Sequence, residues 1–130
     1  MLGRRLDTGK IVNALPIRWI MTVWLALAAA VFVVALLPNA GPPSAWGADK
    51  VVHFAVFMVL AAVPAMVLSR GRAMLGAEVF LLGIGLSIEV AQSFIPGRVG
   101  SGADFLADVL GVLVGVAVGR LLWRRFSVLA

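Results

Sequence analysis

Apolar residues fall into four long runs, separated by short polar stretches rich in glycine and proline. A membrane-spanning helix needs roughly 20 mostly apolar residues. The first run extends from about Trp19 to Leu37 and is closed by Pro38. The second extends from about Val51 to Leu68, with Pro64 placed to kink it. The third runs from about Leu75 to Ile95 and ends at Pro96-Gly97, and the fourth from about Asp104 to Trp123. The pattern predicts an all-α integral membrane bundle of four transmembrane helices, with residues 1–130 forming a single membrane domain. The intervening stretches have the composition of turns: Gly41, Pro42, Pro43, Ser44 and Gly47 in one, Arg70 and Arg72 in the next, and Gly97, Arg98, Gly100, Ser101 and Gly102 in the last. No internal repeat stands out.

Composition strengthens this reading. The chain is 62% hydrophobic and only 13% charged, with a mean hydropathy of +1.08. Soluble domains carry about a quarter charged residues, so the bilayer is the solvent this sequence suits. The net charge of +5 would suggest nucleic acid in a soluble protein. Here the basic residues sit at the ends of apolar runs, without basic and aromatic stripes on a polar surface. They fit an anionic membrane leaflet and predict no nucleic-acid partner. The absence of cysteine excludes disulfides, thiolate metal sites and a thiol nucleophile.

The basic residues also orient the bundle. With the N-terminus inside, Arg4, Arg5, Lys10, Arg18, Arg70, Arg72, Arg120, Arg124 and Arg125 are cytoplasmic, nine of the eleven; Lys50 and Arg98 are outside. The positive-inside rule therefore predicts N-in, C-in topology. The apolar core of the first run is longer than the roughly 7–15 residues of a signal peptide, so it is expected to be a retained anchor.

In that topology the remaining polar residues collect near the outer face. Asp49, Lys50 and His53 open the second helix, Glu89 and Gln92 lie late in the third, Arg98 follows it, and Asp104 and Asp108 open the fourth. At about 100° per residue, Asp104, Asp108, Gly111, Gly115 and Gly119 share an arc of roughly 80°, and Gly85, Glu89, Gln92 and Ser93 one of roughly 100°. Glycines at every fourth position permit close helix approach, so the aspartate face is expected to be a packing face. An isolated charge within the bilayer costs several kcal/mol on insertion scales, about +2.5 to +3.5 for aspartate at a helix centre. Glu89 therefore needs a partner or a wet cleft, and Lys50, His53 and Arg98 are the nearby cations or potential cations.

Two readings compete for these residues. In one they fix helix register, with Asp49 and Asp104 as N-caps. In the other, Lys50, His53, Glu89, Gln92, Arg98, Asp104 and Asp108 form a ligand-binding cleft. One histidine among mixed carboxylates matches no metal-ligand spacing, so neither metal nor cofactor is expected. Glu78 is expected to complement the dipole at the start of the third helix. The four tryptophans read as interface anchors.

Three blocks carry a family resemblance. Asp49-Lys50-Val51-Val52-His53-Phe54 resembles a D-K-x-x-H-F motif, the stretch from Glu89 to Arg98 an E-x-x-Q-x-F-x-P-x-R motif, and Asp104 to Gly111 a D-x-x-A-N-x-x-G motif. In this order and spacing they resemble the VanZ-like family over about residues 49–119. One departure is visible: Asp108 stands where the pattern has asparagine. The resemblance implies a multi-pass protein of the bacterial cytoplasmic membrane with a role in the cell envelope. The family's namesake is associated with low-level resistance to the glycopeptide teicoplanin.

The function expected first is binding of an envelope lipid or glycan headgroup, with membrane lipids, lipid-linked cell-wall precursors or glycopeptides as partners. Arginine suits phosphate because its fork bonds two oxygens. Carboxylates and Gln92 accept hydrogen bonds from sugar hydroxyls. The alternative is a membrane enzyme in which His53 with Glu89 or Asp108 does acid–base chemistry, with Ser93 and Ser101 as nearby hydroxyls. A transport path is disfavoured: no inverted repeat, broken helix or midplane charge is evident. The oligomeric state stays open.

Overall fold

The computed structural model describes residues 16–38, 41, 45–68 and 71–129; the side chains of residue 45 and of residues 126–129 are not described. Arg4, Arg5, Lys10 and Arg70, used above to orient the bundle, and the turn residues Pro42, Pro43 and Ser44 lie outside the described residues. Four helices follow in order: α1 (Ile17–Leu36), α2 (Ala48–Val67), α3 (Arg72–Gln92) and α4 (Gly102–Leu129), with a short 3-10 turn at Ala45–Gly47 before α2. Each contains a span long and apolar enough to cross a membrane, with mean hydropathies from 1.8 to 2.4. No strand occurs among the described residues.

The helix ends depart from the hydropathy limits for local reasons. Gly47, at φ +70°, sets the entry to α2, so Ala48, Asp49 and Lys50 already belong to its first turn. Asp49 is therefore not the N-cap, although an acid in the first turn still favours the positive helix end. α3 stops at Gln92, three residues before the expected limit, because Ile95 precedes Pro96 and that position disfavours helical backbone. α4 starts at Gly102, and the Ser101 hydroxyl accepts from the Asp104 N–H at 3.4 Å. Ser101 thus occupies the capping place expected of Asp104.

The surface of the bundle is apolar, while its interior holds charged groups beside an apolar core of Phe57, Leu60, Leu81 and Ile88. Leu25, Val33, Val51, Val59, Val79, Leu86 and Leu113 are exposed, while Glu78, Glu89, Gln92, Asp104 and Asp108 are buried. Lipid makes that distribution favourable: apolar surface faces a solvent as apolar as itself, and polar groups gain by turning inward.

α4 packs most intimately on α2. A Cβ at Gly111 would stand 3.1 Å from Met58 N, at Gly115 2.9 Å from Ala61 Cβ, and at Gly119 2.9 Å from Ala65 Cβ. Added atoms at Gly115 and Gly119 would also collide with the carbonyl oxygens of Met58 and Ala62. The glycine face expected to pack does so, and the absent side chains let the two backbones touch. α1 is held more loosely; only Trp24 and Ala28 on it are buried.

Backbone carbonyls without helical partners find side chains. Pro64 is buried inside α2 and has no N–H, so the Leu60 carbonyl four residues earlier lacks its usual donor. The Trp24 indole Nε1 donates to that oxygen at 2.8 Å. Trp24 is therefore a buried link between α1 and α2 rather than an interface anchor; Trp19, Trp46 and Trp123 are exposed. At the C-terminal end of α1, Gln92 Nε2 donates to Ala35 O at 2.9 Å and Arg98 Nη2 to Leu37 O at 2.7 Å. At the end of α2, Arg120 Nη1 donates to Leu68 O at 3.1 Å. Within a bilayer the buried Leu60 carbonyl would otherwise have no water to turn to, and those at the helix ends only the water that reaches the bilayer surface.

Candidate functional site

The end of α1, the start of α2, the end of α3 and the start of α4 meet at one end of the bundle, and the polar residues meet with them. Two groups form. In the first, Lys50 Nζ donates to Asp49 Oδ2 at 3.0 Å and pairs with Asp104 Oδ1, also at 3.0 Å. This ties the first turn of α2 to the first turn of α4, with Lys50 partly exposed.

The second group lies deeper. His53 Nδ1 is 2.9 Å from Asp108 Oδ1 and 3.8 Å from Glu89 Oε1. Glu89 Oε2 accepts from the Ser101 backbone N–H at 2.6 Å, which fixes the start of α4 against the end of α3. Asp108 is fully buried, at 0% exposure, and Glu89 is 7% exposed. Gly85 makes this possible: a Cβ there would stand 2.7 Å from Asp108 Oδ2. Asp108 Oδ2 and Glu89 Oε1 are buried without hydrogen-bond partners.

A cavity of about 840 Å³ opens beside these groups. Its polar part is lined by Asp49, Lys50, His53, Gln92, Arg98 and Asp104. Its apolar wall comes from α1 through Leu27, Ala30, Val31 and Val34, and from α2 through Val52, Val56 and Phe57. The loose seating of α1 leaves this space.

The VanZ/LLP1 family model matches residues 3–123. The chain belongs to the VanZ/LLP1 family. The match takes in α1 as well as the three motif blocks, so all four helices of this VanZ/LLP1 protein belong to the shared unit. No curated protein and no solved structure matches the chain.

The geometry of this VanZ/LLP1 protein brings Lys50, His53, Glu89, Gln92, Arg98, Asp104 and Asp108, the expected ligand-binding residues, to one end of the bundle. Lys50, His53, Gln92, Arg98 and Asp104 line the cavity; Glu89 and Asp108 stand next to His53, outside the lining. Arg98 makes no ion pair with a carboxylate among the described residues and instead caps α1. Ser93 is exposed and its hydroxyl donates to Val90 O at 2.6 Å, whereas Ser101 lines the cavity. Glu78 is not in the first turn of α3 but buried in the second, with both carboxylate oxygens lacking hydrogen-bond partners and the Arg120 charge close enough to act on them. It lies too far along for the terminal dipole to explain it. Sequence reading missed the α1 wall, because Leu27, Val31 and Val34 look like lipid-facing residues; the one available signal was the small-residue run Ala28-Ala29-Ala30 beside them.

Proposed function

We propose that this protein binds a lipid of the bacterial cell envelope, with a phosphate or glycan headgroup among Lys50, Arg98, Asp49 and Asp104 and an acyl chain along the α1 wall. The observation that carries this reading is one continuous cavity with a polar end and an apolar wall. An apolar wall running on from the polar end suits a ligand with a hydrocarbon chain, and two cations with two aspartates suit a polar headgroup on the same molecule. Lys50 supplies a compact ammonium for an anionic oxygen, Arg98 a guanidinium beside it, and the aspartates accept from hydroxyls. N-in, C-in topology in a bacterial cytoplasmic membrane turns this end outward, toward envelope precursors. An effect on glycopeptide susceptibility would follow if the bound lipid were a cell-wall precursor.

Photocrosslinking tests the reading. A photoreactive residue at Val52, which lines the cavity, is compared with one at Val79, exposed on α3 away from it. Lipid-linked precursors should be enriched at position 52 over position 79, and Lys50→Gln should reduce that enrichment. Identical lipid adducts at both positions would show that the cavity selects nothing.

A further inference from the structure

We propose that His53, Glu89 and Asp108 form a site for a divalent transition-metal ion of the zinc class. The site stands whether or not a lipid fills the cavity.

Three helices each contribute one donor: His53 from α2, Glu89 from α3 and Asp108 from α4. One nitrogen and two carboxylate oxygens lie within 4.8 Å of one another. Metal bonds of about 2.1 Å put neighbouring donors roughly 3.4 Å apart in a tetrahedral shell and roughly 3.0 Å apart in an octahedral one. The distances from His53 Nδ1, 2.9 Å to Asp108 and 3.8 Å to Glu89, bracket those values. Small side-chain rotations would close the shell.

The orphaned acceptors argue for a cation independently. A single imidazole N–H at Nδ1 serves Asp108 Oδ1 and leaves Glu89 Oε1, buried and 3.8 Å away, without a donor. Asp108 Oδ2 is also buried and unserved. One ion can bond the imidazole and both carboxylates at once. Formal charge points the same way. Asp49, Glu89, Asp104 and Asp108 set four negative charges in this layer against Lys50 and Arg98, which leaves −2 when the carboxylates are ionised and the His53 imidazole is neutral, as a metal ligand must be. A divalent ion offsets that excess where lipid would make it costly.

The donor set selects the class of ion. Imidazole nitrogen with carboxylate oxygen suits zinc and its neighbours; magnesium and calcium prefer oxygen alone. Three protein donors leave at least one coordination position for water or a ligand oxygen. His53 also lines the cavity, so the ion would sit at the cavity wall. Spacing along the chain gave no hint of this, since His53 and Asp108 are 55 positions apart.

The test uses the full-length protein in detergent, purified with a histidine-free tag and stripped with chelator. Zinc should bind at one ion per chain and raise the melting temperature. Glu89→Gln and Asp108→Asn should each weaken zinc binding more than the roughly 10–100-fold typical of losing a mere supporting group. Glu78→Gln, which removes a buried carboxylate near the other end of α3, should leave zinc affinity unchanged. The chain has one histidine, so its imidazole gives one pair of nitrogen resonances. Zinc should shift Nδ1 of the wild-type protein selectively, a readout that stands even if a variant fails to fold. Wild-type protein that binds no zinc, or an imidazole spectrum unchanged by zinc, would overturn the proposal.

Discussion

The bond from Trp24 to the Leu60 carbonyl gives a double-mutant cycle with a defined sign. Trp24→Phe keeps an aromatic ring but removes the 2.8 Å donor. The Leu60 oxygen has no N–H at position 64 to fall back on, because Pro64 is there. Leaving a buried acceptor unserved costs about 1–3 kcal/mol, so Trp24→Phe alone should destabilise by that amount plus a smaller packing loss. Pro64→Ala restores an N–H four residues after Leu60. It also leaves a void, since Pro64 is among the fully buried side chains. The void enters both arms of the cycle and cancels. In the Pro64→Ala background, Trp24→Phe should therefore cost about 1 kcal/mol less. The assay is denaturant unfolding in detergent micelles of the four proteins. Additive effects, within the roughly 0.3–0.5 kcal/mol expected of independent sites, would refute the claim that the indole replaces the donor that proline lacks.

Three further outcomes are expected. Gly115→Ala should lower the melting temperature by several degrees, since its Cβ meets Ala61 at 2.9 Å and overpacking costs about 1–3 kcal/mol; Gly83→Ala, with nothing within 4 Å, should not, and equal melting temperatures would show that the α2–α4 contact tolerates separation. Arg98→Gln and Glu89→Ala should each destabilise, and the double mutant should lose the sum, because Arg98 caps α1 while Glu89 holds the Ser101 N–H, which alanine leaves without an acceptor; recovery in the double mutant, measured by the same unfolding assay, would reveal a direct ion pair between them. A reporter active only outside the cytoplasm should be silent at the C-terminus and active when inserted near Ser44; the reverse would turn the polar cluster toward the cytoplasm.

The four spans were legible because lipid imposes a length and a composition that few other constraints imitate. The packing role of Gly111, Gly115 and Gly119 was legible from period alone, though not that α2 would be the helix receiving them. The meeting of His53, Glu89 and Asp108 was legible from helical phase and a shared end of the bundle, with Glu89 and Asp108 as alternative partners of His53; that His53 bonds Asp108 at 2.9 Å and stands 3.8 Å from Glu89 was not. Their pairing depends on side-chain rotamers and on Gly85 standing back from Asp108, and no periodicity encodes either. Arg98 and Gln92 were read as ligand groups because their chemistry suits ligands; their bonds to Leu37 and Ala35 required knowing where α1 stops. Trp24 was misread for a related reason. Its partner is a carbonyl freed by a proline forty positions later, and tryptophan position along a span says nothing about a neighbouring backbone.

The capping of α1 has a consequence for biogenesis. Its last carbonyls are served by side chains 57 and 61 positions further along the chain. As the ribosome delivers the helices in order, α1 enters the membrane with that terminus unfinished and stays so until α3 and the turn after it arrive. The insertion machinery, or water at the bilayer surface, must serve those oxygens in the meantime. A nascent chain stopped before α3 should accordingly keep the end of α1 open to labelling by water-borne reagents, and a chain extended past Arg98 should protect it.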